Sequence, residues 1–313
     1  MNSSYHIIED IHGQADKLEE LLDYLGYENS SGVYQHSTAK VVFLGDFIDR
    51  GCQHRRVIEV VRDMVDQGHA LAVLGNHEFN AICYHTLHPQ TADPLRPHSE
   101  KNTRQHQAFL KEYALKDEQT QKVIAWFKKL PLYLEVTDPA DGSVQFRAVH
   151  ACWDQEIIHR TPQMLTDEYI VNAACKGSHS YEDIEALLKG PEIPLPESVT
   201  FEDKDNNLRH NIRIKWWEAT NHSTYRDIAM VPDGAVLPDT GIESMEKHFF
   251  YPQDAPPVFF GHYWLSGKPR VIGHNLACLD YSAGKEGALV AYYWNGGEPG
   301  VQKLQDGAFR YIE

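Results

Sequence analysis

The chain has 313 residues, enough for one large α/β domain or two modest ones, with a sizeable apolar core in either case. Lys and Arg number 29 against 45 Asp and Glu, and the net charge of −16 argues against non-specific nucleic-acid binding unless a local basic patch overrides it. Five cysteines with no CxxC pair fit neither a disulfide framework nor a thiolate zinc site, so a reducing, cytoplasmic setting is expected. Met1 to Tyr5 has none of the parts of a signal peptide, and no apolar run approaches the ~20 residues that cross a bilayer.

The first 80 residues alternate between strand and helix periodicities. His6 to Ile8 reads as a strand, and Ala15 to Leu25 as a helix with Leu18, Leu21, Leu22 and Leu25 on one face. Lys40 to Leu44 is the next strand, Arg55 to Gln67 the next helix with Val57, Ile58, Val61, Met64 and Val65 aligned, and Ala70 to Leu74 a third strand. Two right-handed βαβ crossovers in a parallel sheet are predicted, with ligands at the carboxyl ends of the strands. Ser99 to Leu115 and Gln119 to Leu130 are predicted helices, and Leu132 to Val136 and Val144 to Val149 a hairpin turning at Asp138 to Ser143. Trp153 to Pro257 reads as an elaboration on a single domain, with a Pro-rich turn or linker at Gly190 to Pro196. Val258 to Phe260, Leu276 to Leu279 and Leu289 to Trp294 return to strands.

Metal-ligand chemistry stands at the end of three successive strands: Asp10-Ile11-His12-Gly13, then Gly45-Asp46-Phe47-Ile48-Asp49-Arg50-Gly51, then Gly75-Asn76-His77-Glu78. Parallel strands deliver these residues to one edge, and the mixed carboxylate, imidazole and amide set suits Mn²⁺, Fe and Zn²⁺. His150 and His262 stand in the same strand-end context. A lone strand-end histidine among 18 is ordinary; five such sites in this order are not.

DxHG, GDxxDRG, GNHE, a strand-end His and a strand-end GH, in that order, resemble the calcineurin-type metallophosphoesterase superfamily, in its phosphoprotein phosphatase and symmetrical diadenosine tetraphosphatase branch. The resemblance implies an α/β fold of four layers, α-β-β-α, with two mixed sheets face to face and helices outside. It also implies two divalent cations, Mn²⁺ first and Fe or Zn as alternatives. Asp10 and His12 would bind one, Asn76, His150 and His262 the other, and Asp46 both, with a bridging hydroxide as nucleophile. His77 would protonate the leaving oxygen, supported by Asp49, for which a helix N-cap is the alternative reading. Arg50 would clamp phosphate, or else form a surface salt bridge. Arg213 or Lys215 is the candidate for the family's second phosphate-binding arginine, with an ordinary strand residue as the alternative. Glu9 stands where the family usually has a glycine, which either tightens the environment of the turn or places an extra carboxylate near the metals. Trp264 stands where many relatives have a second histidine, leaving the first cation with fewer protein ligands.

Other features carry bland readings. His85, His88, His98 and His106 tempt a further metal site, but Pro89, Pro94 and Pro97 among them favour a solvated loop. Cys152 reads as buried filler, and Trp216 with Trp217 as a buried aromatic pair rather than a base-stacking platform. The expected activity is hydrolysis of a phosphorylated substrate, with nucleotides or small phosphoesters such as dinucleoside tetraphosphates favoured if the Trp153 to Pro257 insertion roofs the site. A serine/threonine phosphoprotein phosphatase is the alternative, and an inactive binding scaffold is disfavoured because every expected ligand is present. Oligomeric state is not legible.

Overall fold

The computed structural model describes residues 4–197, 199–202, 208–220, 222–231, 235–242, 251–296 and 303–313. The chain opens with β1 (Ser4–Ile8), α1 (Ala15–Tyr24), a short hairpin of β2 (Glu28–Ser30) and β3 (Val33–Gln35), then β4 (Ala39–Phe43), α2 (His54–Asp66) and β5 (Ala70–Ala72). β4 pairs parallel with β1 on one side and with β5 on the other, as the alternating periodicities predict. Three helices follow: α3 (Asn76–His85), α4 (Glu100–Glu112) and α5 (Glu118–Phe127). The Ser99 side chain caps α4 by accepting from Asn102 N, and Asp117 caps α5 by accepting from Gln119 and Thr120. β6 (Tyr133–Thr137) and β7 (Val144–Val149) form the expected antiparallel hairpin.

The segment from Trp153 to Pro257 holds α6 (Gln155–Arg160), α7 (Asp167–Ala174), α8 (His179–Lys189), β8 (Glu192–Pro194), β9 (Phe201–Glu202), β10 (Leu208–Arg209), β11 (Asn211–Ile214), α9 (Tyr225–Ile228) and β12 (Ala229–Met230). β8 and β12 flank β11 in an antiparallel sheet, backed by an apolar cluster that includes Leu195, Ile212, Ile214 and Ile228. The turn or linker expected at Gly190 to Pro196 is therefore corrected: it contains an edge strand, where Pro194 needs no donor on its outer side.

The chain ends with β13 (Val258–Phe260), β14 (Leu276–Cys278), β15 (Asp280–Tyr281), β16 (Ala288–Trp294) and β17 (Phe309–Ile312). β16 runs antiparallel to β1, β15 and β17, completing a mixed six-stranded sheet with β4 and β5. β13 runs parallel to β7 and β14, and β6 closes this second, four-stranded sheet.

The period-2 alternation of the strands divides the core. Tyr5, Ile7, Val42, Leu44 and Val73 from the first sheet meet Phe146, Ala148, Phe259 and Ala277 from the second in one cluster. Their neighbours Ile8, Val41, Phe43, Val149, Val258 and Phe260 instead join helix residues such as Leu18, Leu21, Val57, Val61, Ile184 and Leu187. The result is the four-layer α-β-β-α arrangement that the resemblance implies. Among the described residues no helix is long and apolar enough to cross a membrane.

Phe146 tests the inter-sheet contact, because it is fully buried and its ring lies 5.3 Å from Tyr5, 5.4 Å from Phe259 and 5.6 Å from Trp294. Phe146→Ala is expected to lower stability by roughly 3–5 kcal/mol. Chemical denaturation should show an earlier midpoint with an unchanged slope.

Candidate metal centre

The loops that leave β1, β4, β5, β7 and β13 meet where the two sheets adjoin. Leu44 N donates to Ile8 O at 2.9 Å, His12 N to Asp46 O at 2.8 Å and Gly13 N to Phe47 O at 2.8 Å, which lays the first loop on the second. In the other sheet Gly261 N donates to His150 O at 2.8 Å. His150 Nδ1 then donates across to Leu44 O at 2.8 Å, joining one sheet to the other.

Glu78, in the first turn of α3, organises the middle of this assembly. Its buried carboxylate accepts the backbone N–H groups of Asp46 (2.8 Å), Phe47 (2.8 Å), Ile48 (3.3 Å) and Gly75 (3.1 Å). Gly75 packs so closely that a Cβ there would overlap Asp46 N and Oδ1. Seven of the twelve positive-φ residues other than glycine, among the described residues, belong to these loops: Asp10, His12, Asp46, Asp49, Arg50, His262 and Trp264. Left-handed backbone costs of order 1–3 kcal/mol per residue and persists where the surroundings over-determine it.

Asp46 lies at the middle. Its Oδ2 is 3.6 Å from His12 Nε2 and 3.9 Å from His77 Nε2, while Oδ1 is 3.5 Å from His150 Nε2 and accepts His77 N at 3.0 Å. Ligand-type atoms of His12, Asp46 and His77 lie within 4.8 Å of one another, as do those of Asp46, His150 and His262, and of Glu9, Asp10 and His150. The donors fit divalent cations. Both oxygens of Asp10 and Nε2 of His12 are buried without a hydrogen-bond partner in the protein. His12 Nδ1–H is committed to Ile48 O at 2.9 Å, which turns the Nε2 lone pair inward. His150 is held through its Nδ1–H on Leu44 O, and its Nε2 lies 3.0 Å from Asn76 Oδ1, so two ligand-type atoms stand side by side.

The electrostatics are those of carboxylates and imidazoles crowded together out of water. Burial, reinforced by neighbouring carboxylates, pushes the carboxyls of Glu9 and Asp10 well above the usual range. Burial, aided by Arg50 and His77, lowers His12 to about 3 even though Asp46 opposes the shift. Burial also works against ionised Asp46, but His150, His77 and His12 outweigh it and hold the acid down at about 2. Glu9 is buried against Gly261, where a Cβ would overlap its carboxylate, and its Oε1 lies 3.2 Å from His150 Nδ1. The Glu9 carboxylate thus sits among the ligand-type atoms of Asp10 and His150.

His77 Nδ1 donates to Asp49 Oδ2 at 2.6 Å, and its ring is partly exposed. Asp49 does not cap a helix, since the residue preceding α2 is Gln53. Its second oxygen accepts from His106 Nδ1 at 2.9 Å. Burial opposes ionisation of Asp49, but the bonds from His106 and His77 hold its carboxyl below the usual carboxylate range. The solvated-loop reading holds for two of the four histidines and is corrected for the other two. His88 and His98 lie in the loop between α3 and α4, His88 accepting from Gln90 and Thr91 N and the exposed His98 stacking on Tyr84 at 3.9 Å. His106 is instead buried on α4, and His85 lies at the end of α3 with Nε2 3.2 Å from His106 Nε2. The signal was present in the sequence, because His106 falls within a predicted helix at three and seven residues before Phe109 and Tyr113, both buried.

Arg50 lies over the Trp264 ring at 5.4 Å, and its Nη1 is buried without a hydrogen-bond partner. From β11, Arg213 donates Nη1–H to His262 Nε2 at 3.0 Å and Nη2–H to Glu192 at 3.1 Å. The structure brings Arg213 to the centre and not Lys215, whose Nζ pairs with Glu218 at 3.3 Å. Trp216 is buried and Trp217 packs against Tyr263, 4.5 Å between centroids, in keeping with a packed aromatic pair. Cys152 is buried as expected.

A profile of the calcineurin-like phosphoesterase family matches residues 7–263. Among curated proteins, the asymmetrical bis(5'-nucleosyl)-tetraphosphatase PrpE of Oceanobacillus iheyensis is 46% identical over 72 residues, 23% of this chain and 29% of that protein. PrpE of Bacillus subtilis is 41% identical over 75 residues, 24% and 31% of the two chains. The matched stretch thus spans under a third of these relatives' length. Among solved structures, a Saccharomyces cerevisiae protein serine/threonine phosphatase with similarity to human phosphatase PP5 shares the fold. Its TM-score is 0.50 at 13% identity, over 99% of this chain and 79% of that one.

Glu78 offers a test of how the loops are held. Glu78→Ala removes the acceptor of four backbone N–H groups, and each buried donor left unmet costs about 1–3 kcal/mol. A loss of at least about 4 kcal/mol in thermal or denaturant unfolding is expected, against a few tenths for alanine at the exposed Glu118.

Proposed function

Because the chain belongs to the calcineurin-like phosphoesterase family, we propose that it hydrolyses phosphate esters or anhydrides with the help of two divalent cations. One observation carries the reading: the Asp46 carboxylate turns one oxygen toward His12 and the other toward His150, as a ligand shared by two neighbouring cations must. Asp10 and His12 would complete one ligand set, and Asn76, His150 and His262 the other, with Glu9 available to the first. When bound, such a pair supplies hydroxide at neutral pH and neutralises charge on the phosphoryl group. The mixed oxygen and nitrogen donors favour manganese, with iron or zinc as alternatives.

The protein's own groups account for the other requirements. Asp49 fixes the His77 ring through Nδ1, leaving Nε2 on the Asp46 side to give its proton to the departing oxygen. Arg50 and Arg213 approach from two directions and bind phosphoryl oxygens. We favour nucleotides and other small phosphoesters, dinucleoside tetraphosphates foremost. The stretch shared with the tetraphosphatases supports this, as does the delivery of Arg213 by the insertion. A phosphoprotein is the alternative, and a turnover panel of diadenosine tetraphosphate, nucleotides and a phosphopeptide decides between them. We read the chain as one domain elaborated at about 153–257, the elaboration docking through Trp216 Nε1–H to Ala151 O at 3.1 Å. Five free cysteines fit a cytoplasmic setting.

Asp46→Asn should lose bound metal and activity together, read by metal analysis alongside p-nitrophenyl phosphate turnover. Retention of both cations at full occupancy would remove Asp46 from the shared position.

His77→Asn should keep both cations and lose about 10²–10⁴ in rate on an alkyl phosphate. The loss on p-nitrophenyl phosphate, whose phenolate departs without a proton, should be much smaller. Equal losses on the two substrates argue for a role in metal positioning instead.

A further inference from the structure

Asp49 is bound by two imidazoles, and only one of them faces the metal centre. His77 Nδ1 lies 2.6 Å from Oδ2 and His106 Nδ1 lies 2.9 Å from Oδ1. A carboxylate held through one oxygen can still turn about its Cβ–Cγ bond, which is a broad torsion with little intrinsic preference. A second donor on the other oxygen fixes the plane, and with it the direction from which the first oxygen receives His77.

His106 is built to be that fixed donor. It is 3% exposed, its ring stacks on Phe109 with centroids 4.7 Å apart and planes at 22°, and Tyr84 lies 5.2 Å away. Nδ1 must carry the proton, because ionised Asp49 can only accept. Nε2 of a neutral His106 then accepts from His85 Nε2–H at 3.2 Å, which agrees with His85 Nδ1 having no hydrogen-bond partner. The surrounding helix pair is pinned in turn: Tyr84 and Thr103 hydroxyls bond at 2.9 Å, and Arg96 reaches Gln105 at 2.7 Å.

We propose that His106 is a positioning residue for the leaving-group acid: it orients Asp49, which orients His77. This rests on the proposed role of His77 as that acid. Remote support of this kind matters because a displacement of about 1 Å at a reacting group can cost around 10²-fold in rate.

The test compares two amides of similar size. In His106→Asn the side-chain N–H₂ lies near the place of imidazole Nδ1, whereas in His106→Gln it is displaced toward that of Nε2. His106→Gln should lower kcat on an alkyl phosphate about 10- to 100-fold with KM little changed and both cations retained, while p-nitrophenyl phosphate loses far less. His106→Asn should recover most of the alkyl phosphate rate. Histidine-selective ¹⁵N labelling of the full chain gives a second readout: the hydrogen-bonded Nδ1–H of His77 should remain slow to exchange in the wild type and His106→Asn, and broaden in His106→Gln. An unchanged His77 signal in His106→Gln, or equal losses on both substrates with no recovery in His106→Asn, overturns the proposal. If the His77 signal responds but His77→Asn itself shows no preference between substrates, the positioning stands and the acid assignment fails.

Discussion

Glu9, Asp10, Asp46 and Asp280 are all buried around the junction of the two sheets, and their mutual repulsion sets the terms for the rest of the structure. Asp280 is satisfied locally, accepting Trp264 N at 2.6 Å and Ser282 N at 2.8 Å. Asp46 lies among His150, His77 and His12, which favour its ionised form against the cost of burial. The carboxyl oxygens of Glu9 and Asp10 have no hydrogen-bond partner in the protein although His150 and His12 lie near, and burying unpaired charge is among the costliest arrangements a fold can contain. The protein meets the cost by clustering: the carboxylates share one centre with His12, His150 and His262, so that cations placed there would relieve several groups at once.

Holding such a centre requires backbone that helices and strands do not provide. The loops leave their strands in left-handed conformations at Asp10, Asp46 and His262, which turns side chains inward within a residue or two of the last ladder bond. Glu78 fixes the loop after β4 by collecting its N–H groups, and the His150 to Leu44 bond sets the distance between the sheets. The proposed chemistry and the architecture therefore draw on the same loops, and the positions expected to be intolerant of change extend beyond the proposed cation ligands.

Much of this was legible in the sequence wherever a period or motif was long enough to read. The β1–α1–β4–α2–β5 core follows from clean apolar spacing, and three consecutive strand-end motifs name the centre. The β2–β3 hairpin was missed because three-residue polar strands such as Glu28–Ser30 give no period. β8 reads as a linker because its prolines signal a break more strongly than its single inward Ile193 signals a strand. His106 reads as a loop residue where the neighbouring prolines outweigh the helical spacing that joins it to Phe109. Glu78 gave no sign of its role, since the four N–H groups it collects come from loops whose path only the folded chain defines.

The ligand-type residues are drawn from both halves of the sandwich: Asp46 and Asn76 leave strands of the first sheet, His150 and His262 strands of the second. A cation shared among them, as proposed, would be a crosslink between layers as well as a reagent. Its binding free energy would add to the work needed to part the sheets, by RT ln(1 + [L]/Kd) for each site absent from the unfolded chain. Metal supply would then set how long the folded protein survives as well as how fast it turns over, since scarcity loosens the same seam that holds the reacting groups in register.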